Sequence, residues 1–480
     1  MTPGRHVAEQ ITERYRALSP ASARAFEAAA GSLPGGDTRT MTTYAPHPLY
    51  FGRGEGARVQ DLDGRWYHDM VANYGALTHG HDHAALTGAV TRQIQHGTAL
   101  GGPSTLQYRH ADLLRARVPA LERLRYCNSG TEATMWALRT ARAYTGRDII
   151  VKIDGGYHGT HDWGHVSAFL TGGETHPQLL PGLPRVDLAP GVPETVLRSV
   201  VTVPFNDAEA VADVLSRLRG RVAGMIVEPV LGVGGGIPAR PGYLQEVRRL
   251  TAREGVVLIF DECATFRLGP WQVKHGVRPD LCTFSKIVGG GLPLGVFGGR
   301  EDIMSLFDPA RPRPVYHASA FGGNSLSLAA GIAALETFGD AEIAHLDRLG
   351  ERLRRGLDSA AREAGVIGRA VGEGGLSYFH FGAVPPTDAA GSAAARRNRD
   401  RLRALVHLNL LNEGFLTARH GLMCQHIVTQ ASVVDAFTAA FADTLRLLRP
   451  YLAEHHPELL GEGPAEPAGP RTAPAGGTAS

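Results

Sequence analysis

Short apolar runs recur through the middle of the chain, at residues 149–153, 200–203, 224–227, 256–260 and 294–297. Each is four or five residues long, the length of a buried strand and too short for a helix. Between several of them lie amphipathic stretches of helical period. One spans 207–218, with Asp207 placed as an N-cap and Gly220 just past the end. Buried strands joined by crossover helices make a mostly parallel sheet with both faces covered. The pattern predicts an α/β fold.

At 480 residues the chain exceeds the size at which one core stops growing, so two or more lobes are expected. Residues 1 to about 30 read as helix, with Val7, Ile11, Tyr15 and Leu18 at helical spacing, until Pro34-Gly35-Gly36-Asp37 breaks the pattern. Residues 58–69 read as a hairpin turning at Asp63-Gly64. Beyond about residue 325 the period is helical (326–338, 343–364) and then mixed, which suits a smaller α+β lobe. The domain reading is an N-terminal segment 1–75 joining the small domain, a large domain 76–325, a C-terminal small domain 326–455 and a disordered tail 456–480. The tail assignment rests on the Gly, Pro and Ala content from Gly461 onward.

A net charge of +2 gives no electrostatic reason to expect nucleic acid or an anionic membrane as partner. No stretch approaches the ~20 apolar residues of a membrane span, and the first residues lack an apolar signal core. Cys127, Cys263, Cys282 and Cys424 are widely spaced without a Cys-x-x-Cys pair, which argues against a disulfide framework or a structural zinc. A cytoplasmic protein is expected.

Only three lysines stand among the 49 basic residues, and one, Lys286, is followed closely by three glycines, in the stretch Phe284 to Gly295. Arginine stays protonated, whereas a desolvated lysine amine can lose its proton and attack a carbonyl. A lysine in this setting points to Schiff-base chemistry, with pyridoxal phosphate above all.

Three other segments complete a site for that cofactor. Ser129, Gly130 and Thr131 open a helix ending near Gly146, and offer N–H groups and hydroxyls to a phosphate. The same stretch also spells a capping box, Ser129 with Glu132. Gly155-Gly156-Tyr157-His158-Gly159 follows an apolar run, where the Tyr157 ring can lie on a planar cofactor. The run 256–260 ends in Asp261, with Cys263 two residues on, and so delivers a carboxylate for a pyridine nitrogen. Histidine clusters at 78–83 and 158–165 lack a zinc spacing and are assigned to capping and loop packing, with no metal expected.

With these residues in hand, the chain resembles the class III, fold-type I pyridoxal-phosphate aminotransferases, in the glutamate-1-semialdehyde aminomutase-like branch. The resemblance runs from about Ala21 to Leu452 and includes Val227-Glu228-Pro229 and Phe321-Gly322-Gly323-Asn324. It implies a large mostly parallel sheet domain, a small α+β domain built from both terminal segments, and a homodimer with active sites at the interface. It also implies residue roles. Lys286 carries the cofactor, Asp261 pairs with the ring nitrogen, and Tyr157 and Cys263 cover its two faces. His158 stands beside the ring, Glu228 near the active site, and Ser129, Gly130 and Thr131 hold the phosphate. The family's cross-subunit phosphate threonine is replaced by Ala320, with Ser319 as the nearest hydroxyl. Within the branch the pattern is closest to aminotransferases of β-amino acids. That similarity implies Arg39 as a carboxylate ligand and puts a second arginine position at His420, beside Arg419. The expected reaction moves an amino group from an amino-acid donor to a carboxylate-bearing ketone, with an intramolecular aminomutase as the alternative.

Overall fold

The computed structural model describes residues 2–169 and 175–461. Its centre is a seven-stranded sheet with strands in the order Arg123–Cys127, Gly295–Gly299, Leu281–Ser285, Val257–Asp261, Val222–Val227, Ile149–Ile153 and Val200–Val203. Gly295–Gly299 runs antiparallel to both neighbours, and the rest run parallel. All five expected runs are strands, within a residue or two of the predicted ends. The mostly parallel α/β architecture is therefore as anticipated. Helices Gly130–Thr145, Ala208–Arg217 and Tyr243–Arg253 contribute to the apolar clusters that cover the sheet, through residues such as Ala137, Val214 and Val247.

The topology fixes where chemistry can occur. Gly295 pairs with both Cys127 and Ser285, so the carboxyl ends of these strands meet at one sheet edge. The ends of Val257–Asp261, Val222–Val227 and Ile149–Ile153 continue along that edge. Residues just after five strands are thereby brought into line, where ligands gather in α/β sheets.

The two terminal segments share one core. Val7, Ile11 and Tyr15 pack with Leu353, Leu405, Phe437 and Leu452. Strand Phe415–Leu416 pairs in parallel with Trp66–Asp69, itself half of the expected hairpin, whose turn uses Gly64 at φ +84°. Among the described residues no helix is long and apolar enough to cross a membrane.

Two expectations need correction. The helix expected over 1–30 is two helices, Pro3–Leu18 and Pro20–Ala30, because Pro20 has no N–H to continue the first and instead starts the second. The tail placed at 456–480 starts too early. Pro457–Leu459 forms a helical turn, Leu459 is buried, and Leu460 bridges to Val366. An apolar pair anchors that stretch; the remainder of the tail, 462–480, lies outside the described residues.

Candidate active site

Lys286 follows strand Leu281–Ser285 directly and opens a tight helical turn, Lys286–Gly289. Its φ of +60° is left-handed, costly for a residue with a side chain and common where function fixes the backbone. The turn presses on its neighbours: a Cβ on Gly290 would lie 2.6 Å from the Ala330 carbonyl oxygen. The glycines after Lys286 thus let the chain bend under helix Ser325–Glu336 while the lysine faces the sheet edge. Its ammonium makes no hydrogen bond or ion pair among the described residues. It lies close enough to act electrostatically on Cys263, Glu228 and Cys424.

Asp261 ends strand Val257–Asp261 and is buried. Its Oδ1 accepts from the Thr283 hydroxyl at 2.9 Å and the Cys263 N–H at 3.1 Å, and its Oδ2 lies 2.8 Å from His158 Nδ1. A carboxylate only accepts, so Nδ1 carries the proton. Burial by itself would raise the Asp261 pKa. The His158 hydrogen bond overcomes that, and the carboxyl is held below its ordinary range. Burial pushes His158 down, so the ring is neutral, with Nδ1 protonated and Nε2 making no hydrogen bond among the described residues.

Glu228 follows strand Val222–Val227. Its two oxygens accept from the N–H groups of Tyr157 (2.9 Å) and Gly232 (3.2 Å), which fixes the loop that carries Tyr157. Burial, then the neighbouring Asp261 charge, pushes Glu228 up to about 8. Two adjacent carboxyls are thus driven apart, one ionised and one protonated near neutrality.

At the start of helix Gly130–Thr145 the N-cap holds but the full capping box does not. Ser129 Oγ accepts from Glu132 N at 3.1 Å, whereas the Glu132 carboxylate accepts from Asn128 N at 3.0 Å, one residue before the cap, and not from Ser129 N. The N–H groups of Gly130 and Thr131 keep no partner among the described residues and stay available to an anion at the positive end of the helix. Glycines bring the surrounding loops in. A Cβ on Gly130 would touch Cys263 Sγ at 3.1 Å, and one on Gly159, at φ +90°, would lie 2.5 Å from Thr131 Oγ1.

The structure therefore gathers Ser129, Gly130, Thr131, Tyr157, His158, Glu228, Asp261, Cys263 and Lys286 at one edge. Ser319 and Ala320 lie on the exposed surface beside it. Ser319 Oγ accepts from Asn128 Nδ2 and from Gly322 N, both at 2.9 Å, so this hydroxyl is already engaged within its own chain. Arg39 is exposed and donates to Asn73 Oδ1 at 2.8 Å. His420 stacks on Tyr74 at 5.6 Å and is bonded to the Tyr378 hydroxyl at 3.1 Å. With Arg419 it lines a cavity of about 340 Å3.

Sequence reasoning missed Thr283, which shares Asp261 with His158, and the run Ala72-Asn73-Tyr74, three consecutive residues at positive φ that join Arg39 to His420. It also missed a set formed by the buried Asp69 and His426 with the partly exposed His81, whose ligand-type atoms lie within 4.8 Å of one another. His161, from the second histidine cluster, caps a short turn by accepting from Gly164 N at 3.1 Å, as anticipated.

Residues 41–429 match the family model for class-III aminotransferases. The chain belongs to this family. It is 40% identical to glutamate-1-semialdehyde 2,1-aminomutase 2 of Halalkalibacterium halodurans, over 75% of this chain and 83% of that one. It is 36% identical to the β-phenylalanine transaminase of Variovorax paradoxus, over 89% and 93%. Its fold matches the crystal structure of an omega-transaminase from Sphaerobacter thermophilus at a TM-score of 0.84 and 38% identity, covering 89% of this chain and 98% of that one. Class-III aminotransferases depend on pyridoxal phosphate, and the donor set here fits that cofactor: free N–H groups for a phosphate, a buried ionised carboxylate for a ring nitrogen, and an unpaired lysine for a carbonyl.

Proposed function

We propose that this class-III enzyme is a transaminase that takes an amino group from an amino-acid donor and gives it to a carboxylate-bearing ketone, a β-keto or cyclic keto acid. The observation that carries the reading is the ionised Asp261, held by His158 and Thr283 at the same sheet edge as the unpaired Lys286. When bound, the cofactor supplies an electrophilic carbonyl and an electron-withdrawing ring. Gly130 and Thr131 would hold its phosphate, Asp261 its ring nitrogen, and Tyr157 and Cys263 its faces. The Lys286 amine would move the proton on and off the substrate carbon, a general acid–base role. Arg39 would orient a substrate carboxylate through its planar fork.

Completion by a second copy of the chain belongs to the same proposal. Tyr316 and Phe321 are 80% and 62% exposed on either side of Ser319 and Ala320, next to the phosphate end. Large apolar side chains in that position suit an interface that closes the site.

The 40% identity to an aminomutase supports a second reading, transfer between adjacent carbons of one substrate. The two separate in one assay. Under the transaminase reading, product forms only when both an amino donor and a keto acceptor are present. Isomerisation of a single amino compound with neither co-substrate would replace it with the mutase reading.

A further inference from the structure

Three donor atoms from distant segments converge on one point. Asp69 ends strand Trp66–Asp69, His81 stands shortly before helix Ala84–Ile94, and His426 follows strand Leu422–Cys424. Asp69 Oδ2 is 2.9 Å from His81 Nε2 and 3.3 Å from His426 Nε2, and the three atoms lie within 4.8 Å of one another. The proposed reaction uses none of them. Their other polar atoms are mostly committed. Asp69 Oδ1 accepts from the N–H groups of Val71 at 2.8 Å and Ala72 at 2.9 Å, which leaves Oδ2 to face the two rings. His426 Nδ1 lies 2.6 Å from the Leu77 carbonyl oxygen. A carbonyl only accepts, so Nδ1 carries the proton and Nε2 of the neutral ring presents a lone pair.

That lone pair faces a carboxylate oxygen from a fully buried side chain, and Nε2 makes no hydrogen bond among the described residues. Two acceptors in such contact need a positive species between them. A proton would serve Asp69 and His426 alone, whereas a divalent cation takes His81 as well. The spacing suits zinc. Bonds of about 2.0–2.2 Å at a tetrahedral angle set neighbouring ligand atoms about 3.3–3.6 Å apart, so the 3.3 Å pair matches and the 2.9 Å pair need open only slightly. The surroundings suit it too. Imidazole ligands of a metal hand their second N–H to a carbonyl, and ligating carboxylates are themselves hydrogen-bonded. Leu77 does the first for His426, and Val71 with Ala72 do the second for Asp69. The His81 side chain is 17% exposed, which leaves an entry path and room for water as a fourth ligand. Gly54 admits its ring, since a Cβ there would lie 2.5 Å from His81 Cγ.

We infer that Asp69, His81 and His426 bind a zinc ion, with water in the fourth position. The ion joins both terminal segments beside the run Ala72-Asn73-Tyr74, whose first N–H is held by Asp69 itself. Its ligands come from three segments, so the local spacing of residues 78–83 could not report it. They lie apart from Lys286 and Asp261, and the inference holds whichever reaction those residues serve.

Zinc titration of the chelator-stripped holoenzyme, in competition with a chromophoric chelator, tests this directly. The parent should bind one zinc per chain with submicromolar affinity, and its melting temperature should rise with zinc. His81→Ala, at the partly exposed ligand, should bind about tenfold or more weakly and lose that rise. His426→Gln should do the same, and His83→Ala, outside the set, should match the parent. Cobalt(II) in place of zinc should give the parent the visible absorption of a tetrahedral site, and His81→Ala should lack it. If His426→Gln does not fold, His81→Ala with the cobalt spectrum carries the test. A parent without zinc affinity overturns the inference and leaves a proton between His426 and Asp69. Zinc affinity that survives His81→Ala unchanged overturns it as well, because the ion then lies elsewhere.

Discussion

Replacing Asp261 with Asn tests the electrostatic centre of the site. The carboxylate accepts three hydrogen bonds at 2.8 to 3.1 Å in a fully buried position. An amide has one acceptor oxygen and must turn its NH2 either toward His158 Nδ1–H or toward the Thr283 hydroxyl and Cys263 N–H. At least one of those contacts becomes donor against donor unless the His158 proton moves to Nε2. A charge-assisted hydrogen bond contributes about 1.5–3 kcal/mol, and losing one from the reacting complex lowers the rate by about 10- to 160-fold. Single-turnover measurement of the amine half-reaction, with cofactor saturation checked by absorbance, reads that loss apart from binding. The native Asp261 pKa lies below its ordinary value of 3.8, so its stabilisation is complete above that value and disappears as the pH falls through the folded-state pKa. Acid unfolding of Asp261→Asn should therefore show a shallower slope below about pH 4. A saturated variant with a rate within threefold of the parent would refute the role given to this carboxylate.

The sign is opposite at Glu228. Its folded pKa is raised from 4.5 to about 8, so the native protein is most stable below the lower value and loses stability up to the higher one. Urea unfolding of cofactor-free Glu228→Gln across that range should show the variant gaining on the parent as pH rises, and parallel curves would contradict the buried, protonated state. At Gly159, φ of +90° and a Cβ position 2.5 Å from Thr131 Oγ1 leave no room for Ala. Gly159→Ala should lower the melting temperature, from backbone strain of about 1–3 kcal/mol, and weaken cofactor binding tenfold or more by displacing the helix start. Unchanged cofactor affinity by fluorescence titration would show that the Gly159–Thr131 contact does not shape the phosphate end.

What the sequence made legible follows from which interactions are local. Central strands such as Ile149–Ile153 are buried on both faces and so read as continuous apolar runs. Asp261 and the loop that carries Tyr157 each follow an apolar run that reads as a strand, which placed them at one edge before any coordinates, whereas Lys286 stood out by its chemistry and the glycines after it. Arg123–Cys127 carries Arg123 and Arg125, and Leu281–Ser285 carries Thr283 and Ser285, so neither reads as a clean apolar run. Thr283 was missed with its strand. The pairing of His158 with Asp261 spans 103 residues and that of Tyr74 with His420 crosses from one terminal segment to the other, so no spacing rule reports either.

The central claim is that one lysine of three carries the cofactor. Lys152 is buried and donates to the carbonyls of Gly164 and Val166, and Lys274 pairs with Glu373 at 2.5 Å, whereas Lys286, at the sheet edge, makes no hydrogen bond or ion pair among the described residues. Borohydride reduction of the holoenzyme followed by peptide mass analysis tests this directly. The reduced adduct should lie on Lys286 alone, and an adduct on Lys152 or Lys274, or none on Lys286, would contradict the account.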